Sequence, residues 1–114
     1  MGKDYSKQYI FIAQSTSVTS ECRIGLSNNL DKHLSAYNDK KRKSADNEYR
    51  YVFVCEVNDM AEIMNDIREQ FHLYRIPSDE EIYFLNELLF EMYADFIKSH
   101  PLFEEVLFVV KRIY

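Results

Sequence analysis

Arg23-Ile24-Gly25-Leu26-Ser27-Asn28-Asn29-Leu30-Asp31-Lys32-His33-Leu34 says most about how this chain folds, because it packs a strand end, a glycine, a helix cap and a charged helical turn into one short run. Apolar and polar positions alternate from Cys22 towards Leu26, the period of a strand. At Gly25 the missing Cβ lets another backbone or a ligand approach. Ser27 or Asn28 is placed to cap a helix, and Leu30, Leu34 and Tyr37 recur at the spacing of one helical face. Lys32 and His33 then project from the first turns of that helix, near the glycine.

On the N-terminal side, residues 8–15 read as a buried strand around Tyr9-Ile10-Phe11-Ile12-Ala13, and residues 16–20 as the polar turn of a hairpin. The helix runs to about Asn38 and gives way to a charged loop that holds four successive cations, Lys40, Lys41, Arg42 and Lys43. Tyr37 and Tyr49 flank this loop as stacking surfaces or core residues. Residues 49–57, dense in Tyr, Val and Phe, read as a strand inside the sheet, since Val52, Phe53 and Val54 are apolar in succession. Asn58 or Asp59 caps a second helix striped by Met60, Ile63, Met64, Ile67 and Phe71. Ser78-Asp79-Glu80-Glu81 has the pattern of a capping box and predicts a helix over residues 82–98. Its stripe is Leu85, Leu88, Leu89, Met92, Tyr93 and Phe96, with Glu87, Glu91 and Asp95 on another face. His100-Pro101 ends it. Periodicity does not separate helix from strand in the short apolar run 106–114; its β-branched content favours a strand, with an edge open to a partner or a second copy.

Length and composition fit one ordered domain, residues 8–114, after a flexible polar segment, residues 1–7. The fold class is α/β of the α+β type, a small, mostly antiparallel sheet flanked by helices. No apolar run approaches the roughly 18 residues that cross a bilayer, and no secretory signal precedes the first strand, so no membrane contact is expected. Cys22 and Cys55 lack a CxxC spacing and read as small buried apolar residues, which fits an intracellular, reducing compartment. The net charge of −5 is unevenly laid down: nine Lys or Arg face six Asp or Glu in residues 1–54, against five and thirteen in residues 55–114. Such a chain is not a whole-surface polyanion binder, but its front half can carry a local basic patch.

The order strand, Ile-Gly, polar cap, then a helix with a charged pair resembles the second half of the signature of the GIY-YIG endonuclease superfamily. The nearest pattern is that of small domains encoded by large DNA viruses and phages. Phe71, Tyr74-Arg75 and Glu81-Ile82-Tyr83-Phe84 extend the resemblance to about residue 90. It implies a nuclease-like sheet and a site made of a hydroxyl-bearing general base, an arginine and a glutamate that holds one divalent metal. Carried over by position, the first tyrosine becomes Phe11, the second Arg23, the arginine His33 and the glutamate Met64. Phe11 has no hydroxyl, and a thioether is a poor ligand for Mg²⁺. Glu62 and Asp66 lie about 200° around the helix from Met64, which leaves Glu80 or Glu81 in the following cap as a carboxylate source.

The resemblance therefore implies a catalytically degenerate domain that binds nucleic acid, without cofactor or metal, through Arg23, Lys32, His33, Lys40, Lys41, Arg42 and Lys43. A protein-interaction or homodimeric role through the acidic helix and apolar tail is the alternative. A metal-dependent endonuclease with relocated ligands, using Mg²⁺ or Mn²⁺, is the third.

Overall fold

The computed structural model describes residues 7–39 and 48–114. The polar N-terminal segment before Lys7 and the basic run Lys40–Lys43 lie outside the described residues. Among the described residues the chain forms β1 (Gln8–Ser15), β2 (Glu21–Ser27), α1 (Leu30–Tyr37), β3 (Tyr49–Val57), α2 (Met60–Gln70), β4 (Ile82–Phe84), α3 (Glu87–Lys98) and β5 (Phe103–Val109), with a 3-10 turn, His72–Tyr74, after α2. The strands make one antiparallel sheet in the order β4-β2-β1-β3-β5. This is the α+β fold that the alternation of strand and helix periods predicts.

Helices cover both faces of the sheet. Strand alternation sends Ile10, Ile12, Cys22 and Ile24 towards α2 and α3, where Ile63, Met64, Ile67, Tyr93 and Ile97 complete the larger core. Phe11 and Ala13 point the other way, into a smaller core with Tyr37, Tyr49 and Val54 under α1. A bulge lets β3 serve both. Ile12 pairs with Phe53 but Ala13 with Tyr51, so Val52 is an extra residue; Val52 and Phe53 both enter the larger core while Tyr51 and Val54 remain under α1.

The helix predicted over 82–98 begins at Glu87 instead. Ile82–Phe84 pair with Glu21–Arg23 along the edge of β2, and Asn86 caps α3 by accepting from the Leu89 N–H at 2.7 Å. The Ser78–Glu81 pattern closes a turn, in which the Asp79 carboxylate accepts from the Glu81 N–H at 2.9 Å. Capping bonds and strand pairing satisfy the same backbone groups, and the open edge of β2 offered the longer set of partners. The later start rotates the buried face of α3 to Leu89, Tyr93, Ala94 and Ile97, leaving Leu88 and Met92 exposed. Glu87, Glu91 and Asp95 face solvent as the sequence suggests. No helix of the described residues is long and apolar enough to cross a membrane.

Cys22 and Cys55 are free and fully buried. Burial pushes both thiols up, Cys55 to about 12. An unfolded cysteine ionises near about pH 8.5, so the raised folded values contribute stability that is complete below that pH and is lost as pH rises through them. Both thiols are expected to resist a disulfide-exchange reagent in the native protein at about pH 8 and to react once it is unfolded, and urea midpoints should fall as pH rises above about 9. Rapid labelling of either thiol in the native protein would contradict this burial.

Candidate functional site

β1 and β2 set Phe11 directly opposite Gly25. A Cβ at position 25 would stand 2.7 Å from the tip of the Phe11 ring and 3.2 Å from a Glu81 carboxylate oxygen. Gly25 has no positive φ, so glycine is needed here for space and not for backbone freedom. What approaches it is the chain's own ring and carboxylate rather than a second backbone.

Glu81 reaches this point because its carbonyl accepts from the Ile24 N–H at 3.0 Å, which carries the β2–β4 pairing one step beyond β4. Tyr37, the last residue of α1, donates its hydroxyl to Glu81 Oε1. Arg23, two residues before Gly25 on the same face of β2, lies 3.9 Å from Glu81 and 3.6 Å from Asp79. Its guanidinium sits over the rings of Tyr37 and Tyr49, 4.8 and 5.2 Å from their centroids. Burial works to lower the Arg23 pKa, but Tyr49 and the two carboxylates outweigh it and raise the value. Burial and the Glu81 contact hold the Tyr37 phenol well above the usual tyrosine range, so it stays a proton donor. Burial also pushes Tyr51 up to about 12; its hydroxyl donates to the Leu30 carbonyl at 2.7 Å.

His33 lies one turn before Tyr37 and tilts against Phe11, with ring centroids 5.3 Å apart. Its Nδ1 is 3.1 Å from Ser27 Oγ, which also accepts from the Asn29 N–H at 2.9 Å. The α1 cap is Asn29, one residue beyond the pair that the sequence offered; it accepts from the Lys32 N–H at 3.2 Å. A groove of about 340 Å³ opens beside the start of α1, lined by Leu26, Asn28, Asn29, Lys32, His33 and Met60 among others and not by Phe11, Arg23 or Glu81.

Phe11 and His33 thus share one ring cluster with Tyr37, over which Arg23 sits, while Lys32 lines the neighbouring groove. Met64 does not reach the ring cluster: the side chain is buried in the larger core, on the opposite face of the sheet. The carboxylate beside Gly25 is Glu81, hidden in the sequence by its resemblance to a helix cap. Asp79, from the same turn, is a site residue that the sequence alone does not single out. Tyr37 and Tyr49, which the sequence offers as stacking or core residues, stack on Arg23; the signal for Tyr37 is its place four residues after His33 on one helical face.

The anionic oxygens of the cleft belong to Glu81 and Asp79. Arg23 faces both, and Tyr37 occupies Glu81 Oε1. A fixed cation already matches this donor set, so the residues as arranged do not fit a resident divalent ion. Among the described residues no group of three or more His, Cys, Asp or Glu converges. His72 and His100 are engaged elsewhere, with the Glu69 carbonyl at 2.9 Å and Asp66 at 2.7 Å.

The close Phe11–Gly25 approach predicts that Gly25→Ala loses about 1–3 kcal/mol by overpacking. Phe11→Leu in the same chain should recover part of that loss, so the pair is non-additive in urea unfolding. Strict additivity would show that the ring is not what the new methyl meets.

Comparison with curated proteins and with solved structures returns no significant match. The T5orf172 domain model matches residues 8–113, almost the whole chain. That domain is phage-derived, is associated with nuclease-like and GIY-YIG-like folds, and suggests a nuclease-like or DNA-binding module. From the first residue of β1 to the penultimate residue of the sequence, this chain belongs to the T5orf172 domain family.

Proposed function

We propose that this T5orf172 domain is a GIY-YIG-like scaffold that binds nucleic acid and does not hydrolyse it. Phosphodiester hydrolysis requires an activated water and stabilisation of the charge that develops at phosphorus. The observation that carries the reading is the Phe11–Gly25 pairing, which sets a ring without a hydroxyl where the resemblance calls for the general base. The neighbouring phenol, Tyr37, is held protonated by burial and Glu81. Arg23 is committed to Asp79 and Glu81 and acts as a structural cation.

Affinity then falls to the rim, where Lys32 and His33 face the groove. The basic run Lys40–Lys43, outside the described residues, supports the same reading by its four successive cations. Lysines neutralise phosphates without reading sequence.

Fluorescence anisotropy with short duplex and single-stranded oligonucleotides tests the proposal. Binding at low salt should weaken steeply as salt rises, and the slope should flatten by roughly 0.9 for each phosphate no longer neutralised when Lys32 or the Lys40–Lys43 run is changed to alanine. Arg23→Ala should cost stability while leaving the slope unchanged. No binding to either strand form at low salt would overturn the proposal. Glu81 is the observation that favours a hydrolytic alternative. Supercoiled plasmid with Mg²⁺ or Mn²⁺ should remain uncut; nicking that disappears in both His33→Ala and Glu81→Ala would replace the present reading.

A further inference from the structure

We propose that β5 is a self-association edge, through which two copies of this chain pair antiparallel about a two-fold axis near Phe108. This is independent of the nucleic-acid reading. β5 ends the sheet order: β3 pairs one of its edges, and among the described residues no strand meets the other. One more bond follows Val109, from the Val110 N–H to the Val52 carbonyl at 3.0 Å, before the chain bends at Lys111. Leu107, Phe108 and Val109 are 46, 47 and 52% exposed in succession. The apolar half of this edge, residues 106–109, has no proline or lysine and is a template for another strand, whereas the half before it carries Glu104 and Glu105 and a register shift.

The order of charges selects a second copy as the occupant. The run Glu104-Glu105-Val106-Leu107-Phe108-Val109-Val110-Lys111-Arg112 exchanges acid for base when read backwards about Phe108. An antiparallel crossing therefore sets Glu104 and Glu105 of one copy against Lys111 and Arg112 of the other, twice per dimer, whereas a parallel crossing sets like against like. All four charged residues are exposed. The register shift between Val54 and Cys55 leaves Leu107 without a partner on β3 and turns it to the same side as Phe108. The two form one wall of an apolar groove of about 440 Å³, opposite Leu30 and Leu34 of α1. The contact uses the same patch on both molecules, so it closes at two.

Analytical ultracentrifugation of the full chain over a wide concentration range should show the mass rise from 13.7 kDa to twice that value. Glu105→Lys alone, or Lys111→Glu alone, should weaken association by about tenfold or more, and an equimolar mixture of the two variants should recover it as a heterodimer. Hydrogen exchange on the unmodified chain should show amides of residues 104–111 becoming more protected as concentration rises. A monomer at every concentration, species that grow beyond two copies, association indifferent to both charge reversals, or exchange in this strand indifferent to concentration would each overturn the proposal.

Discussion

Glu81 lies against an apolar ring and over a glycine because Arg23 and Tyr37 meet it there. A carboxylate taken partly out of water loses hydration that a cation and a hydrogen-bond donor must replace. The replacement here draws on separate elements: β1 brings Phe11, β2 brings Gly25 and Arg23, α1 brings Tyr37, and the turn before β4 brings the carboxylate. α1 has eight residues, too few to hold a helix in water without tertiary contacts. Its last residue donates to Glu81, its fourth, His33, reaches Ser27 and Phe11, and its third bonds the Asn29 cap. The cluster is therefore what docks this helix on the sheet as well as what shapes the cleft.

The two faces of the sheet divide their work. The face under α2 and α3 holds the larger, aliphatic core, and a lost methylene there is felt as packing. The face under α1 is narrower and aromatic, built on Phe11, Tyr37, Tyr49 and Tyr51, with a guanidinium over Tyr37 and Tyr49. The bulge at Val52 makes this division possible, because one apolar run supplies residues to both sides.

Charge along the chain gives little guide to charge in space. The front half is basic and the back half acidic, yet Asp79 and Glu81 from the back fold onto Arg23 from the front. One guanidinium faces two carboxylates there, which leaves the cluster with a negative charge in excess, while Lys32 lines the neighbouring groove. At the far edge of the sheet the opposite holds: acidic and basic residues of β5 and its continuation stay apart within one chain.

Elements whose signals are local were legible in the bare chain. A continuous apolar run marks β1, period-two alternation marks β2, a polar cap marks the start of α1, and the stripe of Ile63, Met64 and Ile67 marks α2, because each is set by neighbours within a few residues. His33 and Lys32 could be set near Gly25 for the same reason, whereas Phe11 and Arg23 were placed by the resemblance to the GIY-YIG signature. Long-range pairing settled the remainder. Ser78–Glu81 became a turn and Ile82–Phe84 a strand because the edge of β2 was open to them, and nothing local announces that edge. Met64 faces the core and Glu81 the cleft because the two belong to opposite sides of one sheet. Tyr37 and Glu81 stand 44 positions apart, and the free energy of joining a buried donor to a half-buried carboxylate is a property of the folded pair that neither residue carries in its own stretch of sequence.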